Sequence, residues 1–463
     1  MAALHAQNWL EDPRVQEARR LLLTALADRQ AALTSVRPSR PALVQGFADK
    51  MARFQELRGA PLFFPYLASG FGRGPLVELL DGSVKYDFIT GIGVHFFGHG
   101  SPLMLEAALD ACLDDTLMQG NLQQNGDAEE VLNLFLSLAN QQGAHFAHGY
   151  LSTSGAMANE NALKIIFQKK FPARRILAFE KNFAGRTLAL SQVTDKPAYR
   201  EGLPPTLSVD YLPFFDAAQP EESLARTLSR LDEYLARFPG DYAAMVLELI
   251  QGEGGGYREG DAAFFKPLLD RLRAAGIGIV FDEVQTFGRT GHPFAFQHFG
   301  LDAYAEIVTV GKMTQVCATL ISDAYRPAPG LVSQTFTAST AAIKAGKRIL
   351  QVFRDEDYFG NHGRISALSG RFRDRVIALA EKFPDKVQGP FGLGAMVVFT
   401  PMGGDAKAAN AFLQALFQAG VIGFIAGSYP TRIRFLLPLG GITEADIDAA
   451  SDILEDVVSG FTF

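Results

Sequence analysis

Residues 277–285 read Ile-Gly-Ile-Val-Phe-Asp-Glu-Val-Gln, and residues 307–312 read Ile-Val-Thr-Val-Gly-Lys. Each is a short, nearly continuous apolar run that ends abruptly in a charge. A run without polar alternation predicts a strand covered on both faces, as in a parallel sheet. An acid or a lysine at the end of such a strand is costly to bury unless it meets a cation, an anion or a ligand. Working outward, Ile176–Phe179 and Ala243–Leu249 have the same character. Segments 156–170, 220–238 and 262–275 carry apolar residues at helical spacing. Strand–helix alternation from about 145 to 325 predicts an α/β domain on a mainly parallel sheet. Ligands of such sheets sit beyond the carboxyl ends of the strands, which is where Asp282 and Lys312 stand.

On either side of this region the pattern changes. Residues 13–34 and 42–58 read as amphipathic helices, expected to pack on the body of the protein or on a partner subunit. Residues 76–90 read as a hairpin turning at Asp81-Gly82. After about 340 the chain returns to helices and short strands, closing on a helix over 444–458.

The 463 residues are 48% hydrophobic and 20% charged, an ordinary globular balance. Basic residues number 43 and acidic residues 50, for a net charge of −7. That balance argues against a nucleic-acid partner, because such binding relies on phosphate neutralisation. Two cysteines, Cys112 and Cys317, exclude a disulfide framework and a multi-cysteine metal site. No apolar stretch is long enough to span a bilayer, and Asn8, Glu11 and Asp12 interrupt any secretory core, so a cytoplasmic protein is expected. Several motifs fail on inspection. Gly70-Phe-Gly-Arg-Gly-Pro75 and Gly91-Ile-Gly93 lack the third dinucleotide-binding glycine, and Gly346-Lys347 is followed by Arg348, so no P-loop forms. There is no His-Glu-x-x-His and no Gly-x-Ser-x-Gly. The pairs His95/His99 and His145/His148 lack ligand-spaced carboxylates, and no metal is expected.

Two further segments complete a constellation. Residues 152–160, Ser-Thr-Ser-Gly-Ala-Met-Ala-Asn-Glu, open a helix with small and hydroxyl residues, leaving free N–H groups that suit an anion such as phosphate. Residues 251–256, Gln-Gly-Glu-Gly-Gly-Gly, follow another buried strand and present Glu253 in a flexible turn. A phosphate seat, an isolated acid and a desolvated lysine meet the needs of pyridoxal 5′-phosphate. That cofactor needs an anion site, an acid to keep its ring nitrogen protonated and an amine to form an imine.

These segments resemble the class III (ω-) aminotransferases of the fold-type I pyridoxal-phosphate enzymes. The resemblance runs from about Val77 to the C-terminus. It is carried by Asp81-Gly82, Tyr86-Asp87-Phe88, Gly91-Ile92-Gly93-Val94, Ser154-Gly155, Ala158-Asn159-Glu160, Gly185-Arg186-Thr187, Gln251-Gly252-Glu253-Gly254-Gly255, Asp282-Glu283-Val284-Gln285-Thr286 and Lys312. The stretch 311–317, Gly-Lys-Met-Thr-Gln-Val-Cys, is also similar to the lysine-bearing segment of lysine 6-aminotransferases.

The resemblance implies a large domain with a mainly parallel seven-stranded sheet between helices, plus a smaller α+β domain made from both chain ends. The corresponding spans are 1–80 for an N-terminal helical segment and the start of the small domain, 81–340 for the large domain and 341–463 for the rest of the small domain. It implies that Lys312 carries the cofactor as a Schiff base and shuttles protons. Asp282 would pair with the ring nitrogen, Gln285 would lie by the ring hydroxyl and Phe183 would stack on the ring. Ser154, Gly155 and Ala156 would bind the phosphate, and Thr335 would reach the phosphate of a neighbouring subunit in a homodimer with shared sites. Arg186 would grip a substrate carboxylate. Arg434 would bind a second carboxylate or pair with Glu253, the two forming a gate. The implied reaction moves an amino group from an ω-amine or ω-amino acid, a lysine-like donor favoured, to a 2-oxo acid such as 2-oxoglutarate, ping-pong through pyridoxamine phosphate.

The chain departs from the family pattern in places. Met157 replaces a usual Glu, Leu249 a usual Pro, the 286–291 loop is one glycine shorter, and Thr337-Ala338-Ser339 replaces Gly-Gly-Asn-Pro. The first 75 residues or so are also longer than the family minimum, and Phe63, Phe64 and Tyr66 there would wall the amine pocket or simply pack. Two competing readings remain open on the sequence alone. One is an epimerase or aminomutase on the same scaffold. The other is a cofactor-free scaffold protein, which leaves three charged or polar strand ends without a purpose.

Overall fold

A computed structural model of the chain describes residues 4–462. At its centre lies a seven-stranded sheet in the spatial order Phe146–Ser152, Cys317–Ser322, Ile307–Val310, Gly278–Glu283, Tyr242–Leu247, Arg175–Phe179 and Ser208–Leu212. The four strands expected from their apolar runs all pair in parallel, with Val280 opposite both Ile307 and Val246, and Ile176 opposite Ala244. Every residue of the three middle strands is buried, which is why their sequences show no alternation. Cys317–Ser322 alone runs against its neighbours, pairing antiparallel on both sides.

Helices Gly155–Lys169, Pro220–Arg237 and Ala262–Ala274 cover this sheet. Ser154 and Asp261 cap two of them, their side chains accepting from Met157 N and Phe264 N. The hairpin Leu76–Leu79/Val84–Asp87 is joined in parallel by Val421–Ile422, so the two chain ends meet in one small sheet. The boundary drawn at residue 80 falls between the two strands of that hairpin. A second small sheet, Val387–Phe391, Met396–Pro401, Arg432–Leu436 and Phe424–Ala426, packs with helices Arg364–Lys382, Ala406–Ala419 and Glu444–Gly460.

The N-terminal helices Pro13–Gln30 and Pro41–Arg58 lie on the outside. Gln30 is the buried residue of the first, its side-chain amide donating to the carbonyls of Gly72 and Gly100 at 2.7 Å each. The second buries none of its residues. Leu43, Val44, Phe54 and Leu57 stay exposed along its stripe. No described helix is long and apolar enough to cross a membrane.

Candidate active site

The carboxyl edge of the sheet gathers the charged strand ends. Successive residues of a strand point to opposite faces, and this separates the neighbours Asp282 and Glu283. Glu283 faces away from Asn159 and is spent on structure, accepting from Thr286 Oγ1 and from the amides of Ala295 and Phe296 at 2.8 Å each. Asp282, 6% exposed, accepts from Asn159 Nδ2 at 2.7 Å and from Val284 N at 3.0 Å. Asn159 is itself locked, its amide donating to Ala184 O and its carbonyl accepting from Thr309 Oγ1, both at 2.7 Å. Burial raises Asp282 to about 6, while the Val284 amide, Asn159 and the Lys312 charge hold it down. It is therefore ionised at neutral pH.

Lys312 follows Ile307–Val310 through Gly311 and takes a left-handed backbone, φ +57°, a conformation that side chains rarely adopt. Burial and the Arg434 charge lower its amine to about 8, against the pull of Asp282, Glu253 and Glu248. Close approach forces glycine at 311, where a β-carbon would lie 2.6 Å from Cys317 Sγ, and at 155, where it would lie 2.5 Å from Val284 Cγ1. Ser154, Gly155 and Ala156 stand at the N-terminus of a 15-residue helix, whose first amides have no partner within it. Gln285 is buried with Oε1 unpartnered. Phe183 donates its amide to Glu248 Oε2 at 2.8 Å.

Glu248 lies inside the apolar run Ala243–Leu249 and had no role assigned from the sequence. It is buried and accepts from Phe183 N and Gly252 N, the latter at 3.0 Å. Burial, then the Asp282 charge, push it from 4.5 up to about 8. The folded protein thus holds a proton that the unfolded chain has released, so this group's contribution to stability falls as pH rises from about 4.5 to about 8. The slope approaches at most ~1.4 kcal/mol per pH unit. Glu248→Gln is expected to flatten the fall in thermal stability of the cofactor-free protein across that window. Parallel melting profiles for the two proteins from pH 5 to pH 8 would contradict it.

The Gly91-Ile92-Gly93-Val94 segment, quoted above only as part of the resemblance, is a clamped turn. Thr90, Gly91, Ile92 and Gly93 all have positive φ, a run that β-branched residues tolerate only when strongly held. Thr90 Oγ1 donates to Leu436 O, Gln315 Nε2 to Val94 O, and Arg289 Nη2 to Gly93 O. The turn is thereby tied to the segments bearing Arg434, Lys312 and Gln285.

Arg434, 0% exposed, pairs with Glu253 through Nη2–Oε2 at 2.6 Å, and its Nε and Nη1 have no partner. Its charge reaches Lys312. Arg186 is exposed, its guanidinium 4.0 Å above the Tyr199 ring and donating to that hydroxyl at 2.9 Å. Thr335 is exposed on a loop against Gly120. The residues after it, Ala338–Ser339, pair with Met118–Gln119 in a two-stranded ribbon. Phe63 and Phe64 pack on Phe424 and Phe417 respectively, at 4.8 Å, and Phe424 lies 5.4 Å beneath Arg434. The Tyr66 hydroxyl lies 3.5 Å from Asp87. Among the described residues, no three His, Cys, Asp or Glu side chains are grouped to hold a metal.

This architecture is that of the fold-type I pyridoxal-phosphate enzymes. The family model described as Aminotransferase class-III matches residues 65–458, and the chain belongs to that family. It is similar to acetylornithine aminotransferase 1 of Bradyrhizobium diazoefficiens, 30% identical over 414 residues, covering 86% of this chain and 94% of the relative. Its fold is shared with the lysine aminotransferase of M. tuberculosis (TM-score 0.78, 24% identity, 88% of this chain and 98% of that one). It is likewise shared with the ornithine aminotransferase of Toxoplasma gondii (TM-score 0.76, 21% identity, 89% and 95%). The protein is a pyridoxal-phosphate-dependent aminotransferase. The residues at the sheet edge fit that cofactor: a lysine with a lowered pKa, an ionised buried acid, free helix-start amides and an orphaned glutamine oxygen.

Proposed function

We propose that this aminotransferase takes its amino group from an ω-amine or ω-amino acid, with a lysine-like donor favoured, and delivers it to a 2-oxo acid such as 2-oxoglutarate. The observation that carries the proposal is the Glu253–Arg434 pair near Lys312, with Arg434 Nε and Nη1 unspent. Closed, Glu253 neutralises Arg434, and the site accepts a donor whose reacting carbon bears no carboxylate. Open, the guanidinium offers bidentate binding to the carboxylate of a 2-oxo acid. Arg186, exposed and charged, takes the distal carboxylate.

When bound, pyridoxal phosphate supplies an aldehyde that condenses with amines and an electron-poor ring that stabilises negative charge on the substrate carbon. Ser154 Oγ and the free amides of Gly155 and Ala156 would hold its phosphate, Phe183 would lie against the ring and Gln285 would answer the ring hydroxyl. Asp282, whose ionised form Asn159 and Val284 stabilise, would keep a proton on the ring nitrogen. Burial lowers the free amine of Lys312 to about 8, so a fraction of it is neutral near pH 7. Lys312 Nζ takes the proton from the donor's amine-bearing carbon and returns one in the second half-reaction. Thr335 reaches the phosphate seat of a second copy, making the working unit a homodimer. The free thiols of Cys112 and Cys317 suit a cytoplasmic protein.

A donor panel with 2-oxoglutarate tests the proposal, following glutamate production. Lysine and ornithine are expected to exceed their α-amino-only analogues of equal chain length by ~10-fold or more in kcat/KM. Equal rates for norleucine and lysine would contradict the ω-amine assignment.

A further inference from the structure

Tyr257 ends the glycine run Gly254–Gly256 and is 0% exposed, with φ +59°. An aromatic residue in that backbone region is held there by its surroundings. Its N–H donates to Gln251 O at 2.9 Å, and Arg432 Nη1 donates to the preceding carbonyl, Gly256 O, at 2.8 Å. The Gly427 amide donates to Glu253 O at 2.9 Å. A β-carbon on Gly392 would lie 3.1 Å from that of Tyr257, so the base of the side chain is closely packed on that side.

The hydroxyl lies close enough to Arg434 for that guanidinium to hold its oxygen by charge and hydrogen bonding, but its own proton has no acceptor. Among the described residues, Arg434 Nε and Nη1 and Arg289 Nη1 are buried without a hydrogen-bond partner, and Tyr257 Oη has none in good alignment. Arg289, 1% exposed, spends Nε on Gln285 O and Nη2 on Gly93 O, both carbonyls, and has no ion pair among the described residues. Both guanidiniums lie near enough to the phenol to oppose the effect of burial, which pushes it up to about 12, and Glu253 is the acid that faces it. Two buried cations and a neutral donor therefore meet a single carboxylate. Buried donors and charges left this way are unfavourable until an anion fills them.

We propose that Tyr257 is a specificity-determining residue for the 2-oxo acid, its hydroxyl donating to the carboxylate that Arg434 receives when Glu253 releases it. The proposal rests on the carboxylate role given above to Arg434. It makes Tyr257 a device of the acceptor half-reaction alone, because the donor enters while Glu253 occupies Arg434.

Tyr257→Phe keeps the ring and removes only the hydroxyl. In the holoenzyme, the Michaelis constant for the acceptor, with 2-oxoglutarate as the probe, is expected to rise ~10-fold or more, as for a lost hydrogen bond to a charged group. The calorimetric Kd for glutarate, an unreactive dicarboxylate, is expected to rise in step. The donor half-reaction should keep its kcat/KM within ~2-fold. Unchanged glutarate binding, or an equal loss in both half-reactions, overturns the proposal. Arg434→Lys separates the two levels. If it weakens glutarate while Y257F does not, the tyrosine assignment alone falls. If neither variant weakens glutarate, the Arg434 reading falls with it.

Discussion

Lys312→Ala is expected to lower transamination by at least ~10⁴-fold, the joint effect of losing a covalent anchor and a proton carrier at one atom. The variant should still fold. Lys312 lies in a three-residue helical turn after a buried strand, and the glycine at 311 and Gln315 Nε2 to Val94 O keep that loop in place without the side chain. Removing a buried amine also removes its desolvation penalty. Added small primary amines should restore part of the rate, because they replace Nζ without its tether. Residual activity above about one-hundredth of wild type, with no dependence on added amine, would place the proton carrier elsewhere.

Asp282→Asn carries the second large effect, a loss of ~10³-fold in kcat, about 4 kcal/mol of transition-state stabilisation. The substitution changes little in volume and leaves Gly278–Glu283 paired on both sides. It does remove the charge that Asn159 and the Val284 amide hold in place, and a buried partner of the cofactor ring is then left unpaired, a loss typically worth about 3–5 kcal/mol. Because the charge is needed most while electrons move into the ring, KM should change much less than kcat. In the cofactor-free protein burial raises Asp282 to about 6; a cationic ring nitrogen beside it would lower that value and keep the acid ionised in the working enzyme. A kcat within tenfold of wild type would remove Asp282 from the ring-nitrogen role.

The middle of the sheet was legible because strands buried on both faces need apolar residues at every position. Gly278–Glu283 and Ile307–Val310 satisfy this without interruption, and the charges that follow them marked the edge where Asp282 and Lys312 lie. Phe146–Ser152 escaped notice for the opposite reason. It is an outer strand with a single neighbour, so His148, Gly149 and Tyr150 in its middle stay partly exposed, and its sequence looks like a loop. Cys317–Ser322 was hidden by direction: its composition is strand-like, but nothing local says that it turns back antiparallel between two neighbours.

The site divides the same way. Groups fixed by strand ends or a helix start, such as Asp282, Lys312 and Ser154, could be placed from spacing. Asn159, Glu248, Tyr257 and Arg289 could not, because their importance comes from burial against segments far away in the chain. Asn159 meets Asp282 across 123 positions, and Arg289 meets Gly93 across 196. A single polar residue in a helix, or one after a glycine run, carries no local sign of such a partner.

Reduction of the holoenzyme with borohydride, followed by proteolysis and peptide mapping, tests the assignment of Lys312 most directly. The phosphopyridoxyl group is expected on one peptide, attached to Lys312 Nζ, and absent from the Lys312→Ala protein. The label on another lysine, or on none, would contradict the account of how this chain holds its cofactor.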